Sequence, residues 1–145
     1  MQMNSELRPI GWREWVSFPE LGISKIKAKI DTGARSSCLH TADYELFEKD
    51  GERWVRFTVH PRVSHPEIEN HAEAPVVDMK DVTDSGGHTQ LRPFIRATMR
   101  AGGQDYDIDL SLTNREGMKF RMLLGRVALA GAFVVDCEKS YLLGK

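Results

Sequence analysis

Residues 28–37 read Ala-Lys-Ile-Asp-Thr-Gly-Ala-Arg-Ser-Ser and place a carboxylate directly after an apolar, alternating segment. From residue 26 to residue 30, isoleucine and alanine alternate with lysine, which is the two-residue period of a half-buried β-strand. Asp31 therefore ends a strand, and Gly33 lets a backbone N–H approach its carboxylate oxygens closely. Such a turn presents a carboxylate rigidly, although Asp-Thr-Gly is also a common turn sequence with no catalytic role.

The same alternation recurs along the chain and predicts an all-β fold. Asp50-Gly51 and Gly102-Gly103 mark turns between neighbouring strands. Many short strands at turn spacing, with no long helical period, indicate a barrel or a sandwich, with one short helical turn over residues 127–130. The predicted strands are residues 23–30, 54–59, 95–99, 105–112, 132–136 and 141–143.

A chain of 145 residues fits one domain, residues 1–145, because a single core of this size is stable without splitting. Trp12, Trp15 and Trp54 are expected in that core or in a dimer contact, as is usual for large aromatic side chains. Residues 60–75 hold three of the six prolines, and proline both blocks helices and withholds a ladder hydrogen bond. We therefore predict a long surface loop there.

The composition is that of a soluble globular protein, with 41% hydrophobic and 28% charged residues. A formal net charge of −1 gives no overall field to attract nucleic acid or an anionic membrane, so neither is expected as a partner. Residues 1–9 contain no apolar run typical of a signal peptide, and two cysteines are too few for a disulfide framework. We expect a cytoplasmic protein with reduced thiols.

A second motif, Met122-Leu123-Leu124-Gly125-Arg126, places a glycine between an apolar run and the predicted helical turn. Together with Asp-Thr-Gly-Ala at residues 31–34, it resembles the retropepsin-like aspartic peptidases, in which these two strands pack side by side. More narrowly, the chain is similar to the bacterial RimB-like family, sometimes labelled "ATP-dependent zinc protease" and associated with RimK-type glutamate ligases. The resemblance is carried by residues 11–16, 26–37, 55–57, 85–87 and 118–129.

This resemblance implies a closed β-barrel of the acid-protease type, a single lobe that acts as a homodimer. Residues 82–93 correspond to the flap, a hairpin that folds over the substrate, with Ser85, Gly86 and Gly87 at its tip. Glycines tolerate positive φ and leave the backbone free to hydrogen-bond an extended peptide. Gly-Gly also marks a plain surface turn in any β protein, so the substrate-binding role rests on the flanking motifs.

The resemblance also implies how catalysis is assembled. One Asp-Thr-Gly occurs in the chain, whereas an aspartic peptidase needs two carboxylates facing one water molecule. Asp31, Thr32 and Gly33 of two copies are therefore expected to meet across a two-fold axis. Carboxylates about 3 Å apart share one proton, because both cannot ionise at low cost. The ionised member takes a proton from water, and the protonated member donates to the oxyanion.

The residue after this motif carries an expectation about pH. Ala34 stands where two-lobed relatives of this fold often have serine, whose hydroxyl stabilises the ionised pair of carboxylates. Alanine cannot donate that hydrogen bond, so we expect an optimum nearer neutral than acidic pH. A pH–rate profile that peaks near about pH 3 would contradict this expectation.

Three arginines lie near the inferred cleft and are candidates for substrate binding. Arg35 follows the Asp-Thr-Gly turn, Arg92 flanks the flap, and Arg126 follows the second glycine. A guanidinium group binds a carboxylate bidentately, which suits a glutamate side chain or a C-terminal carboxylate. The same geometry also braces loops and dimer contacts, so each arginine has a structural alternative.

No cofactor and no metal are expected. The chain has neither the HExxH motif nor a Walker motif, and its five histidines show no ligand spacing. Zinc binding and direct ATP use are therefore unsupported, although the loop that holds His60 and His65 leaves a metal site as a less favoured alternative.

The sequence favours an aspartic endopeptidase that acts on a peptide or protein substrate. By analogy alone, the family resemblance further implies glutamate-rich tails, such as those that RimK-type ligases make on a ribosomal protein. Two alternatives stay open: a non-catalytic dimeric β module that binds acidic peptides, and a metal-dependent hydrolase. Replacing Asp31 by asparagine separates the enzyme from the binding module, because only the enzyme has turnover to lose.

Overall fold

The computed structural model describes residues 7–84, 86–114 and 119–144. Within these ranges the chain forms β-strands, a 3₁₀ turn at Pro19–Leu21 and one turn of α-helix, and none of its helices is long and apolar enough to cross a bilayer. The elements are β1 (Arg8–Gly11), β2 (Arg13–Phe18), β3 (Ile23–Ile30), β4 (Ser37–His40), β5 (Asp43–Lys49), β6 (Glu52–Val59), β7 (Asn70–Pro75), β8 (Asp78–Thr83), β9 (Thr89–Ala101), β10 (Gln104–Thr113), β11 (Met122–Leu124), α1 (Arg126–Leu129) and β12 (Phe133–Asp136).

Six of these strands close into a barrel in the order β10, β4, β11, β3, β2, β9, because β9 pairs with both β2 and β10. Strand β8 continues the sheet beyond β9, and β5, β6 and β7 form a separate three-stranded sheet. Strand β1 pairs in parallel with β12. The predicted all-β barrel with one short helical turn is thus confirmed.

The barrel interior is filled by the inward-facing residues of successive strands, which are almost all aliphatic. In β3 the residues Ile26, Ala28 and Ile30 are buried while the intervening lysines face outward, as their alternation predicts. The largest fully buried apolar side chains are Ile10, Phe18, Ile23, Ile26, Leu39, Ile95, Met99, Leu110, Leu112, Met122 and Leu124.

Both predicted hairpin turns are present. Lys49 pairs with Glu52, so the loop between β5 and β6 has two residues, Asp50 and Gly51, with φ of 52° and 80°. Ala101 likewise pairs with Gln104, and the two glycines between them have φ of 59° and 81°. Two positive-φ residues give the turn whose twist matches that of the flanking strands.

Part of the predicted loop at residues 60–75 is wrong. Residues 70–75 form strand β7, which pairs with β6 along its whole length. Pro75 ends the strand, where the missing N–H is tolerated, so proline content alone misled the prediction. Residues 60–69 have no regular secondary structure.

The strand predicted at residues 141–143 is also wrong, because a buried carboxylate binds its backbone. Glu14 is fully buried in β2, and its carboxylate accepts hydrogen bonds from the N–H groups of Leu142 at 2.9 Å and Leu143 at 3.0 Å. The same carboxylate accepts the N–H of Gly11 at 2.6 Å. Those donors are therefore not available for a β ladder, and the segment forms a turn.

The three tryptophans are not core residues. Trp12, Trp15 and Trp54 are each half-buried, with one part of the ring accessible to solvent. The expectation that they fill the core is wrong, because the barrel is already filled by smaller aliphatic side chains. A place in a dimer contact stays a prediction for them.

Candidate active site

Asp31 follows β3 directly, at the point where β3 leaves the sheet. Its backbone N–H donates to the carbonyl of Leu124 at 2.9 Å, which extends the parallel pairing of β3 with β11 by one residue. The side chain is half-buried and lines a cleft. The strand therefore fixes the position of this carboxylate, as the sequence predicts.

The turn after Asp31 holds its carboxylate through backbone groups. The N–H of Gly33 donates to Oδ1 of Asp31 at 2.9 Å, and the N–H of Ala34 donates to the Asp31 carbonyl at 3.2 Å. A Cβ atom at residue 33 would lie 3.1 Å from that Oδ1, tighter than ordinary van der Waals contact. Glycine lets the backbone approach the carboxylate without forcing it aside.

Gly125 packs against the loop that follows Asp31, so the two sequence motifs meet in space. A Cβ atom here would lie 2.5 Å from the carbonyl oxygen of Ser36 and 2.9 Å from that of Ala34. The N–H of Gly125 also donates to Oγ of buried Ser37 at 3.0 Å. Any side chain at this position would therefore push the loop that follows Asp31 away.

The helical turn α1 clamps the same loop from its other side. The backbone N–H groups of Arg126 and Val127 donate to the carbonyls of Ala34 at 2.8 Å and Arg35 at 3.0 Å. Through its side chain, Nη1 of Arg126 donates to the carbonyls of Thr32 at 3.1 Å and residue 33 at 3.3 Å. These bonds fix the backbone on which Asp31 stands.

Thr32 is exposed at the tip of this turn. Within the described ranges its hydroxyl makes no hydrogen bond, although its carbonyl accepts one from Arg126. An exposed hydroxyl on an otherwise clamped loop can bind a group outside this protomer.

A cleft of about 770 Å³ opens in front of Asp31. One wall is the clamped loop, with Gly33, Ala34 and Arg35. The opposite wall consists of β8 and the start of β9, and contributes both cations and carboxylates. Its lining residues are Lys80, Asp81, Val82, Thr83, Asp84, Arg92 and Phe94.

Strands β8 and β9 form the hairpin that covers one side of this cleft, and Asp84 shapes its turn. Oδ1 of Asp84 accepts the N–H groups of Gly86 at 2.8 Å and His88 at 3.0 Å, and its carbonyl accepts the N–H of Gly87 at 3.0 Å. Gly87 has a φ of 84°, which suits glycine. Sequence analysis missed Asp84, whose position just before a glycine pair is the signal of an Asx turn.

The predicted tip of the hairpin is exposed. Gly86 and Gly87 lie there as expected, whereas Ser85 lies outside the described residues. The cleft is lined by Val82, Thr83 and Asp84 rather than by the glycines themselves. Contact of this tip with a substrate therefore stays a prediction.

A clamped Asp-Thr-Gly loop, an apolar-apolar-Gly strand beside it and a hairpin facing both are the parts of an aspartic peptidase lobe. The family described as "Retropepsin-like aspartic endopeptidase RimB" matches residues 9–145. The chain belongs to this RimB-like family.

Curated relatives of this RimB-like protein bear another name. "Probable alpha-L-glutamate ligase" proteins from Shewanella pealeana and Desulfotalea psychrophila are each 40% identical over 136 residues, which is 94% of this chain. A protein of the same description from Parasynechococcus marenigrum is 41% identical over 135 residues, 93% of this chain. These matches cover 30%, 29% and 29% of the respective ligases, so the chain spans less than a third of the length of these relatives.

A solved structure has the same fold. The crystal structure of a protein of unknown function from Legionella pneumophila superimposes with a TM-score of 0.78 at 25% identity, and covers 95% of this chain and 99% of the other. The similarity therefore extends over the barrel, the hairpin and the three-stranded sheet.

Arg92 is the most enclosed cation of the RimB-like cleft. It is 5% exposed, and its Nε donates to Oε1 of Gln90 at 3.1 Å. The same oxygen accepts the hydroxyl of Thr113 at 3.3 Å, which fixes the amide. Within the described ranges no carboxylate forms an ion pair with Arg92. A buried guanidinium without a counterion favours binding of an anion from outside.

The other two arginines differ from Arg92 in their surroundings. Arg35 is exposed at the cleft, and its guanidinium makes neither a hydrogen bond nor an ion pair with the part of the chain that the structure describes. Arg126 does not line the cleft; its guanidinium donates to carbonyls of the loop that follows Asp31. These hydrogen bonds fit the structural role considered for each arginine, in which the side chain braces a loop. Substrate binding by Arg126 stays a prediction.

His60 in the loop and His71 in β7 both lie beside the carboxylate of Glu69. Nε2 of His71 lies 2.6 Å from Glu69, and Nε2 of His60 lies 3.7 Å from the other oxygen of the same carboxylate. Across residues 7–84, 86–114 and 119–144, no three His, Cys, Asp or Glu side chains form a group that could hold a metal ion. Neither Cys38 nor Cys137 forms a disulfide.

Proposed function

We propose that this RimB-like protein is an aspartic peptidase whose active site forms when two copies pair and each contributes Asp31. The observation that carries the proposal is the clamped Asp-Thr-Gly loop, in which Gly33 and Gly125 fix a carboxylate at the edge of a cleft. Membership of the retropepsin-like family supports hydrolysis of peptide bonds.

Pairing is part of the proposal because a single carboxylate cannot perform both proton transfers at once. The exposed hydroxyl of Thr32, at the tip of a braced turn, supports a contact with a second copy beside Asp31. A two-fold axis near this turn would bring the two Asp31 carboxylates together and give each Thr32 an equivalent partner.

The chemistry follows from one proton shared by the pair. The ionised carboxylate takes a proton from water, the water oxygen bonds to the peptide carbonyl carbon, and the protonated carboxylate donates to the carbonyl oxygen. Collapse of the tetrahedral intermediate breaks the C–N bond and transfers a proton to the leaving nitrogen. Each general acid or base step contributes roughly 10²- to 10⁴-fold.

The hairpin of β8 and β9 is proposed as the flap. Its strands line the cleft opposite Asp31, and its Asp84-capped turn presents glycines to solvent. An extended peptide between this hairpin and the loop that follows Asp31 would pair with the hairpin as an additional strand and hydrogen-bond through its backbone.

We propose an acidic substrate, rich in glutamate. The buried guanidinium of Arg92, without a carboxylate partner in the described residues, and the exposed guanidinium of Arg35 both lie at the cleft and can bind side-chain carboxylates. The name of the ligase relatives refers to glutamate, which supports a functional link with a glutamate ligase. By analogy with the family resemblance, the proposed substrates include a glutamylated ribosomal protein. The absence of a disulfide supports the reducing cytoplasm as its location.

A second candidate function is a non-catalytic module that binds acidic peptides. It is favoured by the ligase relatives, in which a segment similar to this chain is about 30% of a longer protein with another activity. In that case the cleft and Arg92 would hold a glutamate-rich chain without cutting it.

Replacement of Asp31 by asparagine distinguishes the two candidates. We expect wild-type protein to release new amino termini from glutamate-rich peptides, detected by mass spectrometry, and Asp31→Asn to lose at least about 10³-fold of this rate, because both proton transfers fail. The exposed carboxylate of Asp43 lies on the other sheet, so Asp43→Asn is the matched control.

The contrary outcomes are distinct. No turnover by either protein, together with peptide binding that Asp31→Asn leaves intact, would favour the binding module. Loss of activity with a chelator, and retention of activity by Asp31→Asn, would instead indicate a metal-dependent hydrolase.

A further inference from the structure

The outer face of strands β2 and β3 carries a cluster of cations around a tryptophan. We call this cluster the basic aromatic face. All of its members are at least partly exposed, and it lies on the side of the sheet opposite the barrel core. It consists of Arg13, Trp15, Lys25, Lys27, Lys29 and Arg62.

Aromatic rings hold four of the five cations in place. Nζ of Lys25 lies 4.5 Å and Nζ of Lys27 lies 4.9 Å from the ring centre of Trp15, and the guanidinium carbon of Arg62 lies 5.1 Å from it. The ring of Tyr141 stacks beside Trp15 with centres 6.0 Å apart. Cations held over aromatic rings lose less freedom on binding an anion than free lysines do.

The basic aromatic face has no internal counterions. Within the described ranges none of its five cations forms an ion pair with a carboxylate, and Arg13 is the direct cross-strand neighbour of Lys29. Like charges directly opposite each other destabilise a sheet. A cluster of cations without carboxylate partners costs stability, so we expect it where an anion from outside the protein binds.

Cations elsewhere on the barrel and on the three-stranded sheet show the contrast. Arg96 lies 3.0 Å from Asp109, and Arg100 lies 2.9 Å from Asp105. In the three-stranded sheet Arg56 pairs with Glu45, and Lys49 pairs with Glu73. The lack of carboxylates on the basic aromatic face is therefore a local feature and does not reflect the composition of the whole chain.

We infer that the basic aromatic face is a docking site for an extended acidic polypeptide, separate from the cleft. Alternate residues of β3 place Lys25, Lys27 and Lys29 about 6.6 Å apart, the spacing of alternate side chains in an extended peptide. An extended chain with glutamate or aspartate at every second position would match each lysine with one carboxylate.

Two other occupants fit less well. Single-stranded nucleic acid binds by stacking bases on aromatic rings, but cations already lie over the ring of Trp15. A second copy packed face to face would bring ten cations together, because each copy contributes five. Charge complementarity therefore favours an acidic polypeptide.

The position of the face has a consequence for catalysis, which rests on the proposed function. Lys25 lies in β3 and Asp31 directly follows that strand, so six residue steps, about 20 Å of extended chain, separate them. A long acidic substrate held along this strand would be kept close to the catalytic carboxylate, whereas a substrate of two or three residues could not reach both places. The face should then lower KM for long substrates only.

The test uses full-length Asp31→Asn protein, so that the peptide stays intact, and a fluorescent oligoglutamate of about twelve residues, roughly 40 Å long when extended. Fluorescence anisotropy gives its Kd. We expect Lys25→Gln with Lys27→Gln to weaken binding about tenfold, and added salt to weaken it further. Lys49→Gln with Arg56→Gln is the matched control, because it removes two cations that also lie over aromatic rings but have carboxylate partners.

Equal oligoglutamate binding by the two double variants would overturn the inference. Tighter binding of an oligothymidine of equal length would also overturn it, in favour of nucleic acid. Loss of a dimer in the Lys25→Gln, Lys27→Gln protein would overturn it in favour of a second copy. Failure of the peptidase proposal is a separate result. It would appear as absent turnover of triglutamate by wild-type protein, while the difference in oligoglutamate binding could still stand.

Discussion

Arg92 is the residue whose surroundings bear most directly on substrate choice. Its guanidinium is held by Gln90 at the wall of the cleft and lacks a carboxylate partner in the described residues. We expect Arg92→Gln to lower kcat/KM for glutamate-rich peptides by about tenfold or more, since a charge-assisted hydrogen bond is worth about 1.5–3 kcal/mol. Steady-state kinetics on glutamate and glutamine versions of one peptide measure this effect.

Arg92→Lys is the matched control, because it keeps the charge and loses the planar fork. An intermediate loss for this variant is expected on the glutamate peptide. Equal losses of kcat/KM on the glutamate and glutamine peptides would show that Arg92 supports the structure of the cleft and does not bind the glutamate side chain.

Ala34 gives a prediction about pH. It lines the cleft beside Asp31, and its N–H donates to the Asp31 carbonyl. A serine here would add a hydroxyl donor that favours the ionised form of the paired carboxylates. We therefore expect Ala34→Ser to move the acidic limb of the kcat/KM profile to lower pH by about one unit.

The control for Ala34→Ser is Ala42→Ser, at an exposed position outside the cleft. Its pH profile should equal that of the wild type. An acidic limb that moves to higher pH in Ala34→Ser, or that does not move, would contradict the reasoning by which we expect a near-neutral optimum.

Glu14 is a structural residue that sequence analysis did not single out. Its buried carboxylate accepts three backbone N–H groups, from Gly11, Leu142 and Leu143. Glu14→Gln replaces one acceptor oxygen by a donor, so we expect the free energy of unfolding to fall by about 2 kcal/mol, measured by urea denaturation. Glu48→Gln, at an exposed position, should change it by less than about 0.5 kcal/mol; equal effects of the two variants would refute this role of Glu14.

At this scale the sequence predicts local features and misses distant ones. Asp31 and Gly33 act within three residues of each other, so their spacing is visible in the chain. Glu14 binds residues near the other end of the chain, and Arg92 depends on Gln90 and Thr113, which only the folded sheet brings together. No local pattern marks such partners.

Among the elements, the strand β11 and the turn α1 hold the loop that follows Asp31 in place. Gly125, between them, has no room for a Cβ atom, which would meet the Ser36 carbonyl at 2.5 Å. We expect Gly125→Ala to reduce peptidase activity by more than tenfold and to lower the free energy of unfolding by about 1–3 kcal/mol, because the loop must shift. Activity assays and urea denaturation measure the two effects.

Gly131→Ala separates loss of stability from displacement of the loop. Gly131 has a φ of 78° and nothing within 4 Å of its would-be Cβ atom, so alanine there costs about 1 kcal/mol without contacting the loop. Activity at a temperature where both variants stay folded should fall in Gly125→Ala alone. Equal activity in the two variants would show that Gly125 is not needed to position the loop.

Strand prediction succeeded where one face of a strand is apolar and the other is polar. The alternation in β3 reflects one buried and one solvent face, and the glycine turn between β9 and β10 is local. Prediction failed for β7, which lies in a segment whose prolines suggested a loop, and for residues 141–143, whose backbone binds Glu14. In each failure a tertiary contact overrides the local pattern.

At the scale of the whole molecule, the alternating pattern and the turn spacing predicted an all-β domain but not how the barrel closes. Closure depends on parallel pairings of β4 with β10 and of β3 with β11, between segments far apart in the chain. A two-residue period says which face of a strand is buried and does not say which strand is its neighbour. The family resemblance, rather than periodicity, supplied the expected barrel.

Assembly is the level on which the catalytic proposal depends. One protomer supplies one Asp31, one exposed Thr32 hydroxyl and one cleft. The most direct measurement is therefore the separation of the two Asp31 carboxyl groups in a crystal structure of the protein with a peptide-based inhibitor. The proposal predicts a two-fold dimer in which these groups lie about 3 Å apart, close enough to share a proton. A bound protomer without a partner, or a dimer with the two carboxyl groups on opposite outer surfaces, would contradict it.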